Sequence, residues 1–315
     1  MDISVIVPLF NESESILELV DGIDTVMKNN DFTYEIVMID DGSDDGSWEI
    51  IEDRAKKNPS VRGIKFRRNY GKAAALHCGF KAAEGNVVIT MDADLQDNPD
   101  EIPDLYKMIR EDDYDLVSGW KKKRHDPFSK KLPSKFFNWT ARKFTGIKLH
   151  DFNCGLKAYK HNVVKSIEVY GEMHRYIPVI VKKAGFSKIG EKVVQHRKRK
   201  YGVTKYGVER YMHGFLALIT LSFISRFGKK PMHFFGTLGT LMFFIGFIIA
   251  IYLGADKLIS VYKHIKAPLV TSNPYFYIAL AAMIIGTQLF LAGFLGELVS
   301  RTSADRNTYQ IEQEI

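Results

Sequence analysis

The chain has 315 residues, 46% of them hydrophobic and 26% charged, and a formal net charge of +7 at pH 7. This length allows one large domain and a smaller appendage. Its two cysteines, Cys78 and Cys154, are too few for a disulfide framework and lack zinc-ligand spacing. The basic clusters lie at residues 121–124, 130–135, 142–143 and 196–200. They have no nucleic-acid-binding motif beside them, so we expect lipid phosphate as their partner and no nucleic acid.

The first 120 residues alternate short β-branched segments with amphipathic ones. The predicted strands are residues 3–8, 34–40, 61–67, 86–91 and 115–120. Two groups of apolar residues recur at helical spacing between them, namely Ile16, Leu19, Val20, Ile23 and Met27, then Leu76, Phe80 and Ala83. This alternation predicts a Rossmann-like α/β domain with a mainly parallel sheet covered on both faces. In such sheets ligands bind at the carboxyl ends of the strands.

Three loops at predicted strand ends carry polar residues. They are residues 7–12 (Val-Pro-Leu-Phe-Asn-Glu), 39–44 (Ile-Asp-Asp-Gly-Ser-Asp) and 67–72 (Arg-Arg-Asn-Tyr-Gly-Lys). Each has a structural alternative: a proline-bounded loop, an Asp-Gly turn with a helix cap, and a glycine that opens a helix. The acids of the second loop are suited to accept hydrogen bonds from a nucleobase or ribose. Lys72, at a helix start, is suited to meet phosphate.

The segment Asp92-Ala93-Asp94-Leu95-Gln96 directly follows the strand predicted at residues 86–91. Two carboxylates two residues apart can approach one Mg²⁺ or Mn²⁺ from a single loop, and diphosphate oxygens and water complete its coordination. Such a metal neutralises charge on a departing nucleoside diphosphate. An isolated Asp-X-Asp is more often a solvated turn, but its position after a buried strand favours a metal site.

Two later segments have the composition of helices that lie on a membrane surface. Residues 130–145 interleave aromatic and basic side chains, and residues 206–228 contain an apolar stretch that is too short to span a bilayer. A helix packed on the soluble domain is the alternative for either segment. Residues 231–254 and 274–296 contain no charged side chain and are each long enough to cross a hydrocarbon core of about 30 Å.

The two predicted spans place both chain ends on one side of the membrane. Residues 1–4 carry neither a basic segment nor a long apolar run, so we expect no signal peptide and a cytosolic catalytic domain. The predicted regions are a cytosolic domain at 1–205, an amphipathic interface helix at 206–228, a two-helix transmembrane region at 229–300 and a cytosolic tail at 301–315.

Taken together, the four loop sequences resemble those of family 2 glycosyltransferases with the GT-A fold. Within that family the chain is similar to the dolichol-phosphate mannosyltransferases and bacterial polyprenyl-phosphate glycosyltransferases, over essentially its whole length. The resemblance implies inverting transfer of one sugar from a UDP- or GDP-sugar to a polyprenyl phosphate, with Mg²⁺ or Mn²⁺, by a homo-oligomer in the bacterial inner membrane. Phe10 stands where the family usually has Tyr. The Gln-x-x-Arg-Trp motif of processive polysaccharide synthases is absent, which argues against polymer synthesis.

The resemblance also implies roles for individual residues. Those expected to bind the nucleotide-sugar are Pro8, Phe10, Asn11, Glu12, Asp40, Asp41, Asn69, Lys72, Asp92, Ala93 and Gln96. Asp92 and Asp94 are expected to hold the metal, and Asp94 and Asp151 to act in catalysis. Residues 151–156 are similar to the family's segment near the sugar and acceptor, and residues 196–207 to its Arg-x-x-Gly-x-Ser-Lys motif, with Thr in place of Ser.

The expected acceptor decides which catalytic groups are needed. A phosphate monoester has a second pKa of about 6 and is mostly dianionic at pH 7, so it hardly needs a general base, whereas a sugar hydroxyl does. Orientation and charge stabilisation are then expected to dominate catalysis. The candidates for holding the acceptor phosphate are Lys121, Arg124, Arg199 and Lys205.

Two alternatives to this function stay open. One is transfer to a different acceptor, such as a protein, diacylglycerol or a growing glycan; the short apolar segments before the spans favour a lipid but do not identify its head group. The other is a non-catalytic membrane partner that retains the fold. The intact pair Asp92 and Asp94 argues against this second alternative.

Overall fold

The structure is a computed structural model that describes residues 1–122, 138, 141–142, 145–171, 173–197, 200–201, 231–266 and 268–302. The chain divides into two compact units, Met1–Ile219 and Thr220–Ile315. The elements of the first unit are β1 (Ile3–Leu9), α1 (Ile16–Asn29), β2 (Tyr34–Asp40), α2 (Ser47–Lys57), β3 (Val61–Lys65), α3 (Lys72–Ala82), β4 (Val87–Thr90), α4 (Ile102–Arg110), β5 (Leu116–Trp120), β6 (Lys157–Lys160), α5 (His161–Ser166), α6 (Ile177–Lys183) and β7 (Ile189–Val193).

These strands form one seven-stranded sheet in the order β3-β2-β1-β4-β6-β5-β7. Every neighbouring pair is parallel except the two pairs that include β6, which runs antiparallel to both β4 and β5. The five predicted strands are all present, with ends that differ by at most two residues. The strands β6 and β7 are additions to that prediction. The mainly parallel sheet is therefore confirmed, with one reversed strand near its middle.

Successive residues of a strand point to opposite sides of the sheet. Because both sets of side chains are apolar here, helices cover both faces of the sheet. In β1, Val5 and Val7 belong to the hydrophobic core that α1 and α4 complete, for example with Leu19. Ile6 belongs to the opposite core, which includes Phe80 of α3 together with residues of α5 and α6. The sheet is thus buried on both sides, and only its edges are left for ligands.

The second unit contains two long helices, α7 (Pro231–Tyr262) and α8 (Pro274–Thr302). Both are long and apolar enough to cross a membrane, and both extend beyond the predicted spans at their carboxyl ends. They pack closely through small residues: a β-carbon on Gly239 would lie 2.5 Å from the Gly286 carbonyl oxygen, and one on Gly246 would lie 2.5 Å from the Ala279 carbonyl oxygen. Glycine at these positions lets the two backbones approach each other.

The remaining predictions about domain organisation fall largely outside the described residues. The interface helix expected at 206–228 and residues 303–315 of the expected tail lie wholly outside them. Of the segment 130–145, the structure describes Asn138, Ala141, Arg142 and Thr145, and these four residues are helical.

Candidate active site

The candidate site lies at one edge of the sheet, where the carboxyl ends of β1 to β5 and of β7 meet because these six strands run in the same direction. The reversed strand β6 brings its first residue, Lys157, to the same edge. The loops predicted to bind ligand and the segment 151–156 therefore share one rim. This convergence is what the sequence predicted from the strand ends.

The first two loops are tied together by the side chain of Asn11. Its Nδ2 donates to an Asp44 carboxylate oxygen at 2.7 Å, and its Oδ1 accepts from the Asp44 backbone N–H at 3.0 Å. The Asn11 backbone has a φ of 52° and donates its N–H to the Ser43 hydroxyl. Asn11 was predicted to bind the nucleotide, and the structure gives its amide a part in shaping the loops.

Asp40 is the last residue of β2 and Asp41 follows it, and the two carboxylates have different surroundings. Asp40 is fully buried; its Oδ1 accepts the Ser43 backbone N–H at 2.9 Å, while its Oδ2 has no hydrogen-bond partner among the described residues. Asp41 accepts the backbone N–H groups of Tyr70 and Gly71 at 2.7 and 2.9 Å, and burial raises the pKa of its carboxyl. Asp41 therefore holds the third loop at the rim. Asp40, in contrast, has one carboxylate oxygen, Oδ2, that can still accept a hydrogen bond.

The Asp92–Gln96 segment forms a tight turn at the end of β4. The Asp94 carboxylate accepts the Gln96 backbone N–H at 3.2 Å, and Leu95 between them has a φ of 60°, in the left-handed region. Ala93 is buried, while Asp92, Asp94 and Gln96 are half-buried. A turn closed by an Asp side chain directs the carboxylates of one short segment to the rim.

Asp92 is held in the ionised form by lysines. Its Oδ1 accepts a hydrogen bond from Lys72 Nζ at the start of α3, and the two side chains are 32% and 26% exposed. Burial acts to raise the pKa of Asp92, but the positive charges of Lys72, Lys121 and Lys157 outweigh burial and hold that pKa at about 2. An ionised, partly exposed carboxylate is the group that a cation at this rim requires.

A buried ion pair supports the turn from below. Lys121 Nζ lies 2.8 Å from Asp97 Oδ1, with side chains that are 12% and 0% exposed. The second oxygen of Asp97 accepts the backbone N–H of Asp92 at 3.4 Å. Burial acts to lower the pKa of Lys121, but the nearby carboxylates outweigh it and raise that pKa. Lys121 was predicted to hold acceptor phosphate; the structure pairs it with Asp97 beneath the Asp92–Gln96 turn.

Sequence reasoning missed Lys157 and assigned no role to His174, and both lie in the charged surroundings of Asp92. Lys157 is buried and donates from Nζ to the Cys154 carbonyl, and burial lowers its pKa. Burial, with the positive charges of Lys72, Arg175 and Lys157, lowers the pKa of His174 well below its ordinary value. The sequence carried no signal for the burial of Lys157, because an unpaired lysine is rarely buried.

Asp151 lies beneath the rim rather than on it. It is 1% exposed, and its Oδ1 accepts the Asn153 backbone N–H at 3.1 Å. Its own backbone N–H donates to Glu191 of β7 at 3.1 Å, which fixes the loop before β6. The charge of Asp151 nevertheless acts on Lys157. A part for Asp151 in catalysis therefore stays a prediction.

After β7, the start of the predicted basic motif at residues 196–207 crosses the Asp92–Gln96 turn. The Arg197 backbone N–H donates to the Gln96 carbonyl at 3.0 Å, and the Arg197 guanidinium donates to Asn98 at 2.8 Å. Farther along, Lys200 Nζ lies 2.7 Å from Glu18 of α1. The motif is thus anchored beside the Asp92–Gln96 turn. Arg124, Arg199 and Lys205 lie outside the described residues.

The other residues predicted to bind the nucleotide-sugar line the first and third loops. Pro8 is buried in β1 and lies beside Ile39 of the parallel strand β2. Phe10 and Glu12 are half-buried, and the Glu12 backbone N–H donates to the Ser47 hydroxyl at 3.1 Å. Asn69 is exposed. The structure therefore places this whole set at the rim around β1, β2 and β3.

The donor set at the rim fits a hard divalent cation that is shared with a ligand. Among the described residues, no group of three or more His, Cys, Asp or Glu side chains could hold a metal by itself. The Asp92–Gln96 turn offers two carboxylates, and that of Asp92 is ionised and partly exposed. Mg²⁺ and Mn²⁺ accept such a small set when phosphate oxygens and water supply the remaining ligands.

Comparison with solved structures identifies the fold of the first unit as GT-A. The structure is similar to mannosyl-3-phosphoglycerate synthase from Rubrobacter xylanophilus, with a TM-score of 0.58 and 15% identity over 72% of this chain and 76% of that one. It is also similar to glucosyl-3-phosphoglycerate synthase from Mycobacterium tuberculosis in complex with Mn²⁺, UDP and glucosyl-3-phosphoglycerate, with a TM-score of 0.53 and 20% identity over 71% and 79% of the two chains.

Residues 4–167 match Glycosyl transferase family 2. The chain is 34% identical to the dodecaprenyl-phosphate galacturonate synthase of Rhizobium johnstonii, over 96% of this chain and 88% of that protein. It is 32% identical to the undecaprenyl-phosphate 4-deoxy-4-formamido-L-arabinose transferase of Aeromonas hydrophila, over 99% and 93% of the two chains. The chain belongs to glycosyltransferase family 2.

Proposed function

We propose that this protein transfers a single sugar from a UDP- or GDP-sugar to a polyprenyl phosphate with inversion at the anomeric carbon. The observation that carries the proposal is the ionised Asp92 among three lysines at the rim of a family 2 domain. Full-length similarity to two proteins named as polyprenyl-phosphate sugar synthase or transferase supports the lipid acceptor. The two apolar helices keep the enzyme in the membrane where such an acceptor resides.

The nucleoside would occupy the loops after β1 and β2. Asp40 is buried and has an oxygen without a partner among the described residues, so a donor from the base or ribose would relieve an unpaired buried acceptor. Phe10 supplies a ring for stacking on a base. Pro8, Glu12 and Asn69 complete the walls. The side chains of Asn11 and Asp41 keep these loops in place by accepting hydrogen bonds from backbone N–H groups of Asp44 and Tyr70.

The diphosphate would lie between the start of α3 and the Asp92–Gln96 turn. Asp92 and Asp94 would hold Mg²⁺ or Mn²⁺, which supplies positive charge to the leaving nucleoside diphosphate. Lys72 forms an ion pair with Asp92, and its ammonium group would also donate a hydrogen bond to the diphosphate. The paired charges of Asp97 and Lys121 keep the turn in position during the reaction.

In the proposed reaction an oxygen of the lipid phosphate attacks the anomeric carbon, and the bond from that carbon to the diphosphate oxygen breaks. The nucleoside diphosphate leaves with the electron pair. A dianionic phosphate needs no proton removed, so basic side chains that hold it matter more than a base. The proposed acceptor residues are Arg124, Arg199 and Lys205, with Asp151 acting through the charge of Lys157.

The proposed location is the bacterial inner membrane, with the catalytic unit in the cytosol where nucleotide-sugars are made. In this arrangement the first span begins and the second span ends on the cytosolic side. We also propose that the protein is a homo-oligomer. Protease treatment of sealed inner-membrane vesicles of known orientation checks this arrangement, because the catalytic unit should be cleaved only in vesicles whose cytosolic face is outward.

A reconstituted assay tests the reaction. Full-length protein in vesicles is incubated with labelled UDP- and GDP-sugars, a polyprenyl phosphate and Mn²⁺, and lipids are separated by thin-layer chromatography. The proposal predicts a lipid product whose sugar is released by mild acid. Asp92→Asn should lower the rate about 100-fold or more. The exposed Asp53 of α2 provides the matched control, and Asp53→Asn should leave the rate unchanged.

Two outcomes contradict the proposal. A base-labile glyceride as the labelled product would assign the enzyme to a different acceptor. Absence of both turnover and thermal stabilisation with every nucleotide-sugar would favour a non-catalytic membrane partner, since a ligand that binds only the folded state raises its melting temperature.

A further inference from the structure

Lys157 places a positive charge just below the rim without a carboxylate in contact with it. The residue is 3% exposed, and its ammonium group has one hydrogen-bond partner among the described residues, the Cys154 carbonyl. Lys72 differs, because it contacts the Asp92 carboxylate. An ammonium carries three N–H donors, so two donors of Lys157 lack an acceptor in this part of the structure. A buried cation in that position is unfavourable unless an anion compensates it.

The sheet turns the Lys157 side chain toward α3. Lys157 lies opposite Thr90 of β4 and two residues before Tyr159, which belongs to the core on the α3 side of the sheet. Because residues two apart in a strand share a face, Lys157 and Thr90 point to that side as well. Asp92 follows Thr90 by two residues and contacts Lys72 at the start of α3. The Lys157 ammonium therefore lies between the end of the sheet and the start of α3.

A neutral imidazole borders the same space. His174 lies in the short 3₁₀ helix Met173–Tyr176, which packs against α3. Its Nδ1 is buried and has no hydrogen-bond partner among the described residues. Burial and the positive charges of Lys72 and Lys157 lower the pKa of His174 well below its ordinary value, against the opposing charge of Asp92. His174 is therefore uncharged at neutral pH, yet its ring still carries one N–H donor.

The strand order places these donors on the far side of the proposed metal site from the nucleoside. The loops proposed for the nucleoside follow β1 and β2, and the carboxylates proposed for the metal follow β4. The next strand is β6, which begins at Lys157, and adjacent strands lie about 4.8 Å apart. In an in-line displacement the attacking and leaving oxygens lie on opposite sides of the reacting carbon. The attacking phosphate is therefore expected on the β6 side of the metal.

We propose that Lys157 and His174 form the inner wall of the subsite that holds the phosphate of the lipid acceptor. This inference rests on the proposed transferase function and adds two residues to its acceptor site. The ammonium donates charge-assisted hydrogen bonds to phosphate oxygens, and the imidazole donates one neutral hydrogen bond. A sugar hydroxyl would leave the buried charge of Lys157 uncompensated, whereas a phosphate dianion balances it. Both residues position the nucleophile, and neither removes a proton.

Steady-state kinetics of full-length variants in vesicles test the subsite. Lys157→Met should raise the KM for polyprenyl phosphate about 10- to 100-fold, as expected for the loss of hydrogen bonds between charged groups. The KM for the nucleotide-sugar should stay unchanged. Lys157→Arg keeps the charge and should raise the acceptor KM less than Lys157→Met does. His174→Phe should raise it about 3- to 10-fold, because a neutral hydrogen bond is weaker.

Lys160 provides the matched control on the same strand. It is the last residue of β6, about 10 Å from Lys157 and away from the rim, and it pairs with Asp113 and Asp115. Lys160→Met removes a lysine from the same element but should leave the acceptor KM unchanged.

A binding measurement keeps the test independent of sugar transfer. In detergent, farnesyl phosphate should raise the melting temperature of the unaltered chain more than farnesol does, because only the phosphate has a partner in the subsite. This difference should disappear in Lys157→Met and persist in Lys160→Met. The melting temperature of each variant without ligand establishes that the variant is folded.

Three results would overturn the proposal. They are an unchanged acceptor KM in Lys157→Met, a rise in its KM for the nucleotide-sugar instead, and equal stabilisation of the unaltered chain by farnesyl phosphate and farnesol. The second result would assign Lys157 to the donor diphosphate. If farnesyl phosphate binds through Lys157 but the unaltered chain makes no lipid-linked sugar, the subsite stands and the transferase proposal fails.

Discussion

Gly155 lies so close to Asp92 that a β-carbon at position 155 would be 2.4 Å from a carboxylate oxygen of Asp92. The Gly155 carbonyl also accepts the Thr90 hydroxyl at 2.8 Å, which fixes the loop against the end of β4. The absence of a side chain at position 155 is therefore what allows Asp92 to occupy its place beside Lys72. The loop at residues 151–156 and the Asp92 carboxylate are therefore in direct contact.

Gly155→Ala should displace the Asp92 carboxylate and lower the transfer rate about 10- to 100-fold, because small displacements of a catalytic group are costly. Thermal stability should change much less than activity. Gly22→Ala is the matched control: its β-carbon would meet Pro99 at an ordinary 3.5 Å within a helix. That variant should retain activity and gain up to about 1 kcal/mol of stability. Unchanged activity of Gly155→Ala would show that Asp92 tolerates displacement.

Lys121→Met should destabilise the first unit by about 3 kcal/mol, because it leaves Asp97 buried without its counter-charge. Adding Asp97→Asn should restore part of that loss, since the unpaired charge is then gone. Denaturant unfolding followed by tryptophan fluorescence measures both effects. The exposed Lys56 gives a control on α2, and Lys56→Met should change the unfolding free energy by no more than about 0.5 kcal/mol. If the double variant is as unstable as the single one, the pair is not coupled.

The ionised state of Asp92 should appear in the pH dependence of stability. Its pKa is about 2 in the folded protein and 3.8 in a model peptide. Because the folded-state pKa is the lower one, the charge interaction stabilises the fold above about pH 4 and is lost as the pH falls toward 2. The difference in melting temperature between the unaltered chain and Asp92→Asn should therefore shrink from pH 5 to pH 3. A constant difference would contradict this assignment.

Asp151→Asn should lower the transfer rate yet leave measurable activity, whereas Asp94→Asn should abolish it. The reason is that Asp151 is buried and a phosphate nucleophile needs no proton removed. Steady-state kinetics with saturating donor compare the two variants. An asparagine oxygen can still accept the Asn153 backbone N–H, so the loop should keep its shape. Loss as complete as that of Asp94→Asn would identify Asp151 as an obligatory base.

The sequence was sufficient to predict the parallel strands and their loops. Each predicted strand is a short run of β-branched and apolar residues, as in residues 3–8, and such runs are typical of strands buried on both faces of a parallel sheet. Once the strands are predicted, their carboxyl ends are known, and Asp40 and Asp92 are expected at the same rim of the sheet. These predictions succeed because they depend on local pattern and on a general rule for parallel sheets.

The strands β6 and β7 escaped prediction because their sequences, Lys-Ala-Tyr-Lys and Ile-Gly-Glu-Lys-Val, are short and carry charges. Because the sequence does not predict that β6 lies between β4 and β5, it gives no indication that Lys157 is buried near the Asp92–Gln96 turn. The pairing of Lys121 with Asp97 is likewise a tertiary contact between separate loops. A lysine can be buried, as Lys157 is, or exposed to solvent, as Lys56 is. Which of the two applies depends on the order of the strands in the sheet, which the local sequence does not reveal.

The reversed direction of β6 affects how the substrate preference of this protein can change in evolution. Every other strand of the sheet has its last residues at the rim, whereas β6 has its first residues there. Residues 151–157 therefore approach Asp92 from a separate stretch of chain. The loops proposed to bind the nucleotide are encoded before residue 100, and this second wall is encoded after residue 150. Substitutions in one stretch can therefore retune the choice of substrate while the other is inherited intact.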